Sequence, residues 1–342
     1  MALLLFNMAI NTRLTIRVPY LCIFISAILL GSVSCVNGLD PYDSAVSDSS
    51  EEVPLLQKKH LKILDIGNSY TDGAVALLPQ IVKDCNVDLN DMCLYKLIRG
   101  GASFKNWCDV FDDKDDKIYS FRRVVGGDKV SVPQINGEAG DGDLFRKVLT
   151  KVDWDIIIIH QVSTYAPYYD KWKTNESGGY LDPFLNIIKQ YQPKAEIGFL
   201  LVHSYWDDYS GNVEKSSFER WQKIAESAFQ FQCDYDIDII IPYGTAVENL
   251  RTSSLNNEYD LTMDGTHCGY GLCQYVAACC YYETLIAPRV NVSCLGKRTS
   301  IDVSGYSSKF PSVNVTNRNA LIAQRAAVLA VQDMYNCNNP EE

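Results

Sequence analysis

Short apolar runs rich in β-branched residues recur along this chain at 63–67 (ILDIG), 92–98 (MCLYKLI), 154–160 (WDIIIIH), 196–203 (EIGFLLVH) and 237–243 (IDIIIPY). The segments between them are long enough for helices. Strands buried on both faces and alternating with helices make a parallel sheet covered on its two sides. The pattern therefore predicts an α/β fold, a three-layer α/β/α sandwich around a central parallel sheet of about five strands. Helices are expected over 74–84, 143–150, 183–190, 217–230, 245–250 and 271–286. A last helix is expected over 319–335, with Ile322, Ala326 and Leu329 on one face.

In sheets of this kind ligands gather beyond the carboxyl ends of the strands. That rule turns the pattern into a set of residues: Ser69 after the first run, Gly100 to Ser103 after the second, His160-Gln161 after the third, His203 to Trp206 after the fourth, and Gly244-Thr245 after the fifth.

Composition narrows the picture. The chain has 342 residues, 47% of them hydrophobic, enough for one large core. A net charge of -11 with no compensating Lys/Arg stripe excludes a nucleic-acid partner, because counterion release would have little to work with. After Arg13 and Arg17, residues 18–39 carry no charge and end in small residues, the form of an export signal that is cleaved or kept as a membrane anchor. Cys35 offers a third form, a lipid-modified cysteine, although Ser32 stands where such signals carry an aliphatic residue. The expected organisation is a signal or anchor over 1–38, a Ser/Asp/Glu-rich linker over 39–60, one domain over 61–337 and a tail over 338–342, in a secreted, periplasmic or surface-attached protein. Of twelve cysteines, ten lie beyond the signal region, and in an exported chain they suggest disulfides, with pairing open. The cluster HCGYGLCQYVAACC lacks CxxC spacing, which disfavours zinc, and fits small apolar cysteines on a packed helix with some bridged. Neither metal nor cofactor is expected. The sequons at Asn175, Asn291 and Asn314 carry meaning only in a glycosylating cell.

The chemistry begins with GNSYTDG at residues 67–73. A serine at a strand-to-helix turn can present its hydroxyl at the rim, although serine at a helix entry is also a common cap. A base is needed, and the chain has four histidines. His267 lies in LTMDGTHCGYG, three residues after Asp264, a spacing that lets the carboxylate fix the imidazole tautomer. His160 and His203 at strand ends fit satisfied structural histidines, with His203 also a candidate for substrate contact. Asn249 and Arg251 read as a solvated helix end. DDKDDK (112–117) reads as a charged loop, and GEAGDGD (137–143) as a turn into a helix capped at Asp143, lacking calcium-loop spacing.

The order of GNS after the first strand, a glycine-containing loop after the second and D-x-x-H near the end of the domain resembles the SGNH/GDSL hydrolase superfamily. The blocks GNSYTDGAVALLPQI, IRGGASFKNW, WDIIIIHQVS, IIPYGTAVENLRTS and LTMDGTHCGYGLCQYVAACCYYETL are most similar to a mainly bacterial branch of unknown function. The resemblance implies a flavodoxin-like fold, Ser69 as nucleophile, His267 as general base and acid, and Asp264 as its orienting carboxylate. It implies an oxyanion hole from the backbone N–H groups of Ser69 and Gly101, with Gly100 in reserve. Two positions depart from the superfamily pattern. Asn68 stands where Asp is usual, and Gln161 stands near the place of an asparagine donor, so the third oxyanion contact is assigned to Gln161. Aromatic residues at the rim suit sugar faces, and Tyr165, His203, Tyr205 and Trp206 are the expected substrate contacts. The expected activity is removal of acetyl or another small acyl group from a carbohydrate. The alternatives are a lapsed hydrolase that binds glycans, an esterase or lipase for a non-carbohydrate ester, and a flavodoxin-type cofactor binder, for which GNSYTDG is a poor phosphate loop. The 104–150 segment is open between lid and passive insertion.

Overall fold

The computed structural model describes residues 54–112, 119–135, 142–211 and 213–342. The expected signal or anchor, most of the linker and most of the DDKDDK and GEAGDGD runs lie outside the described residues. Among the described residues no helix is long and apolar enough to cross a membrane.

The elements run β1 (Leu61–Gly67), α1 (Ser69–Ala74), α2 (Leu78–Asp84), β2 (Met92–Arg99), α3 (Phe104–Phe111), β3 (Tyr119–Gly126), α4 (Gly142–Thr150), β4 (Ile156–Ile159), α5 (Tyr169–Trp172), α6 (Leu181–Tyr191), β5 (Glu196–Leu200), α7 (Ser217–Tyr235), β6 (Ile239–Ile241), α8 (Tyr243–Arg251), β7 (Tyr270–Gly271), α9 (Leu272–Tyr281), α10 (Ala287–Val290), β8 (Ser312–Val313) and α11 (Asn317–Gln332). The main sheet has the order β3-β2-β1-β4-β5-β6. Strand β1 is interior, paired in parallel with β2 from Leu61↔Met92 to Gly67↔Ile98 and with β4 from Ile63↔Ile156 to Ile66↔Ile159. Burial on both faces explains the apolar runs: all four isoleucines of β4 are fully buried. The sheet is an α/β/α sandwich with six strands, one more than expected.

The extra strand, β3, pairs antiparallel with β2. Its sequence YSFRRVVG holds exposed Arg122 and Arg123, so it lacks the apolar signature of a two-sided strand. Charge on an edge strand also discourages pairing with another chain. Because α3, β3 and α4 all derive from the 104–150 segment, its described part is built into the sheet and a helical layer, where α3 packs on α4 and α6.

On one face α9 packs against α1, α2, α8 and α11. Every residue of α9 is buried, including Cys279 and Cys280, and the helix continues into a π-helical turn over Tyr282–Ile286. On the other face Phe104, Trp172, Phe184, Phe199 and Phe231 form a chain of ring contacts with centroids 5.0 to 6.1 Å apart. The expectation of packed cysteines with some bridged leaves the pairing open, and the structure resolves it. Among the described residues the one bridge is Cys268–Cys273, and Cys85, Cys279, Cys280 and Cys294 are buried thiols, consistent with cysteine acting as a small apolar side chain.

Buried polar groups also lie inside this core, Asp65 among them. The Asp65 carboxyl on β1 has no solvent exposure and accepts hydrogen bonds from the hydroxyls of Tyr281 on α9 and Thr71 on α1. Burial raises its pKa from the ordinary carboxylate range to about 7, against the opposing effect of the two hydroxyl donors. A raised acid pKa means that the folded state holds a proton which the unfolded chain releases. The Asp65 contribution is therefore full below about pH 4 and is lost as pH rises toward 7. In denaturant titrations from pH 4 to 8, Asp65→Asn is expected to remove this fall, so the stability gap between wild type and variant narrows or reverses with rising pH. A gap independent of pH overturns the assignment.

Candidate active site

Strand β1 passes into α1 through a single residue, Asn68, and three local features shape that turn. A Cβ on Gly67 would overlap Thr71 Oγ1 and stand 2.5 Å from His160 Nε2, so only glycine permits the close approach. Asn68 is the helix cap, its Oδ1 accepting the Tyr70 N–H at 2.9 Å. Its Nδ2 donates to the Ala102 carbonyl at 3.0 Å and ties the β1 turn to the glycine loop after β2. With the cap filled by Asn68, the Ser69 hydroxyl has no capping duty, which removes the structural account of that serine. The expected start of the helix near Ala74 is corrected for the same reason: α1 begins at Ser69.

The second half comes from the chain 195 to 198 residues later. A hairpin-like loop closes by Met263 N–H to the His267 carbonyl (2.9 Å) and Gly269 N–H to the Leu261 carbonyl (2.8 Å). Within it Asp264 Oδ1 accepts the backbone N–H groups of His267 (2.8 Å) and Thr266 (3.0 Å) and the Thr266 hydroxyl (3.0 Å). Asp264 Oδ2 lies 2.8 Å from His267 Nδ1, and His267 Nε2 lies 2.9 Å from Ser69 Oγ. Partial burial works to raise the Asp264 pKa, but the His267 backbone and ring and the Thr266 N–H outweigh it and hold the carboxyl down at about 2. An ionised carboxylate on Nδ1 leaves Nε2 as the acceptor facing the serine hydroxyl.

The backbone N–H groups of Ser69 and Gly101 have no acceptor among the described residues. Gly101 sits at φ +63° with open space where a Cβ would be, a conformation that favours glycine. Gln161 differs from these. It is fully buried, its amide donates to the Gly178 carbonyl (2.8 Å), and its oxygen accepts the Val162 N–H (2.9 Å). Both ends of the side chain hold the loops after β4, so the assignment of Gln161 as an oxyanion donor is corrected to a structural role in this structure.

The expected substrate contacts divide. His203 is 1% exposed, its ring stacked on Tyr70 (centroids 4.6 Å) and its Nδ1 bonded to the Tyr243 hydroxyl, so contact with a ligand is corrected to packing beneath the site. Tyr205 is likewise buried, its ring 3.9 Å from the Arg220 guanidinium and its hydroxyl on Ser163 Oγ (3.0 Å). Tyr165 is half-buried and its ring covers Gly178. Trp206 is half-exposed, its ring 5.5 Å from Tyr259, and its backbone N–H donates to the Gly265 carbonyl at 2.9 Å, which sets it beside the Asp264 loop. His160 is a satisfied core histidine: Nε2 accepts the Asn68 N–H (3.3 Å), Nδ1 faces the Gln161 carbonyl (3.0 Å), and burial lowers its pKa to about 4.

Several supporting residues escape a sequence reading. The Tyr70 hydroxyl donates to the Thr266 carbonyl at 2.5 Å and links the two halves directly. Arg251, read as part of a solvated helix end, is buried and bridges Glu248, the Ser204 carbonyl and the Asp260 carbonyl. Asn249 is fully buried on the Ala326 carbonyl. The Glu248-x-x-Arg251 spacing was the available signal, but an i,i+3 pair looks the same in a helix facing water. Arg220 and Glu214 form a second buried pair, at 2.6 Å.

A family model described as a domain of unknown function, DUF4886, matches residues 62–305. A DUF4886 protein of Bacteroides uniformis is similar in fold, with 21% identity, a TM-score of 0.63, and coverage of 82% of this chain and 98% of that one. A protein of Slackia heliotrinireducens, provisionally described as an SGNH hydrolase, aligns at 16% identity and a TM-score of 0.41 over 66% of this chain and 98% of its own. No curated protein matches the sequence significantly.

The turn geometry sets an expectation for Gly67→Ala. Its methyl group must displace Thr71 or His160, so chemical denaturation is expected to show a loss of about 1–3 kcal/mol. A change within about 0.5 kcal/mol would show that the turn relaxes without strain.

Proposed function

The chain belongs to the DUF4886 family, and we propose that it is a serine hydrolase of carboxylic esters working through Ser69, His267 and Asp264. One observation carries this reading: Ser69 Oγ, His267 Nε2, His267 Nδ1 and Asp264 Oδ2 stand in a continuous line of contacts of 2.9 and 2.8 Å. In this mechanism His267 takes the Ser69 proton as the hydroxyl attacks the ester carbonyl. The Ser69 and Gly101 N–H groups receive the oxyanion, and the first helical turn of α1 adds its dipole. His267 then returns the proton to the departing alcohol, and water repeats the sequence on the acyl-enzyme. Asp264, held ionised, fixes the ring and stabilises its charged form.

The substrate we infer is a small acyl ester, acetyl foremost, on a carbohydrate. Support comes from the partly exposed aromatic residues beside the Asp264 loop, Trp206 and Tyr259 together with Tyr209, whose ring covers Gly265. Action outside the cytoplasm follows from the uncharged 18–39 segment, and the Cys268–Cys273 bridge suits an oxidising compartment.

Ester turnover tests the reading. With p-nitrophenyl acetate, Ser69→Ala is expected to lower kcat at least about a thousandfold, and Asp264→Ala by a large but smaller factor. A screen of acetylated glycans for released acetate then addresses the substrate. Turnover by Ser69→Ala equal to wild type would eliminate the nucleophile, and inertness of both proteins across a broad ester panel would favour glycan binding without catalysis.

A further inference from the structure

We propose that the Cys268–Cys273 disulfide positions His267, so that opening the bond lowers turnover; this rests on the serine-hydrolase reading above. The two cysteines act through the histidine and touch no substrate.

The argument starts from the backbone that bears the base. Of the nine residues from Asp264 to Leu272 (DGTHCGYGL), three are glycine, and Gly265 and Gly271 stand at φ +88° and +84°. Glycine-rich backbone has the most conformational freedom to lose on ordering, and this stretch has no helix and no strand before Tyr270–Gly271. Burial holds the catalytic pair weakly, since the side chains of His267 and Asp264 are 33% and 31% exposed. The adjacent residue is different. Cys268 is 5% exposed and bonded to Cys273, itself 2% exposed and in the first turn of α9, the fully buried helix of the core.

The remaining tethers are fewer than the hydrogen-bond pattern first suggests. The bonds from Met263 to His267 and from Gly269 to Leu261 lie within the loop and hold its shape without fixing its distance from Ser69. Across to other elements the loop itself has two hydrogen bonds, from the Tyr70 hydroxyl to Thr266 and from the Trp206 backbone N–H to Gly265, while Arg251 holds the Asp260 carbonyl before it and Tyr270–Gly271 pair with β8 after it. The disulfide is the covalent tie, one residue from the base. A catalytic contact displaced by about 1 Å can lose roughly a hundredfold in rate, so a loose loop is felt in kcat before it is felt in folding.

Reduction by a dithiol such as dithiothreitol transfers an electron pair and two protons. The S–S bond breaks, Cys268 and Cys273 become thiols, and the reductant closes to its own cyclic disulfide. The experiment compares oxidised and reduced wild type, with alkylation and peptide mapping to show the state of both cysteines, and Cys273→Ser as a permanently open form. The reduced protein and the variant are expected to lose roughly 10- to 100-fold in kcat with KM within about twofold. Reoxidation restores the wild type, and the reductant leaves Cys273→Ser unchanged. Amide hydrogen exchange over 264–270 is expected to accelerate on reduction. Reduced wild type that turns over at the oxidised rate, with both thiols mapped, overturns the inference. Inertness of the oxidised protein toward esters defeats the hydrolase reading instead, and the exchange measurement then decides: unchanged protection over 264–270 overturns the positioning role.

Discussion

The two-ended amide of Asn68 is the contact on which the rest of the site depends. One end caps α1 through the Tyr70 N–H, and the other holds the Ala102 carbonyl in the loop after β2. A carboxylate in that place could accept the first bond but could not donate the second. The side chain therefore fixes two backbone segments together: the turn that carries Ser69 and the loop that carries Gly101. Because β1 is interior and paired on both sides, that turn rests on a strand held from two directions.

Beneath the rim lies a layer of buried polar groups that packing holds neutral or paired. His160 stays neutral because a charged ring without solvent is costly, and as a neutral ring it can accept the Asn68 N–H. Asp65 keeps its proton through much of the acidic range for the same reason. Charges that persist are paired: Glu214, which burial pushes up, is held below its usual range by Arg220, and Arg251 faces Glu248. Breaking either pair leaves an uncompensated buried charge, so these groups specify how the loops above them lie.

The two halves of the site obey different physics. Ser69 stands where a strand and a capped helix leave the backbone little freedom. His267 and Asp264 stand on a glycine-rich loop that is ordered by contacts made elsewhere: Tyr70, Trp206, Arg251 and the disulfide. Catalytic chemistry of the proposed kind needs both halves within hydrogen-bonding distance, which places the demand for order on the looser half.

The sequence by itself determined the layered α/β fold, five of the six main strands, and the residues Ser69, Asp264 and His267 as a set worth bringing together. Those features were legible because they are local: buried parallel strands must be apolar on both faces, and an Asp three residues before a His can reach its ring within one turn. Tertiary structure alone decided the rest. β3 was hidden because a one-sided edge strand resembles a polar loop, and Arg251 because a helix end reads alike whether it meets water or carbonyls. Tyr205 and His203 follow a strand as rim residues do, yet both are buried, because position after a strand does not say which way a side chain turns. What the Gln161 side chain bonds depends on where the Gly178 loop comes to rest. These are contacts between segments far apart in the chain, and their partners exist only once the chain has folded.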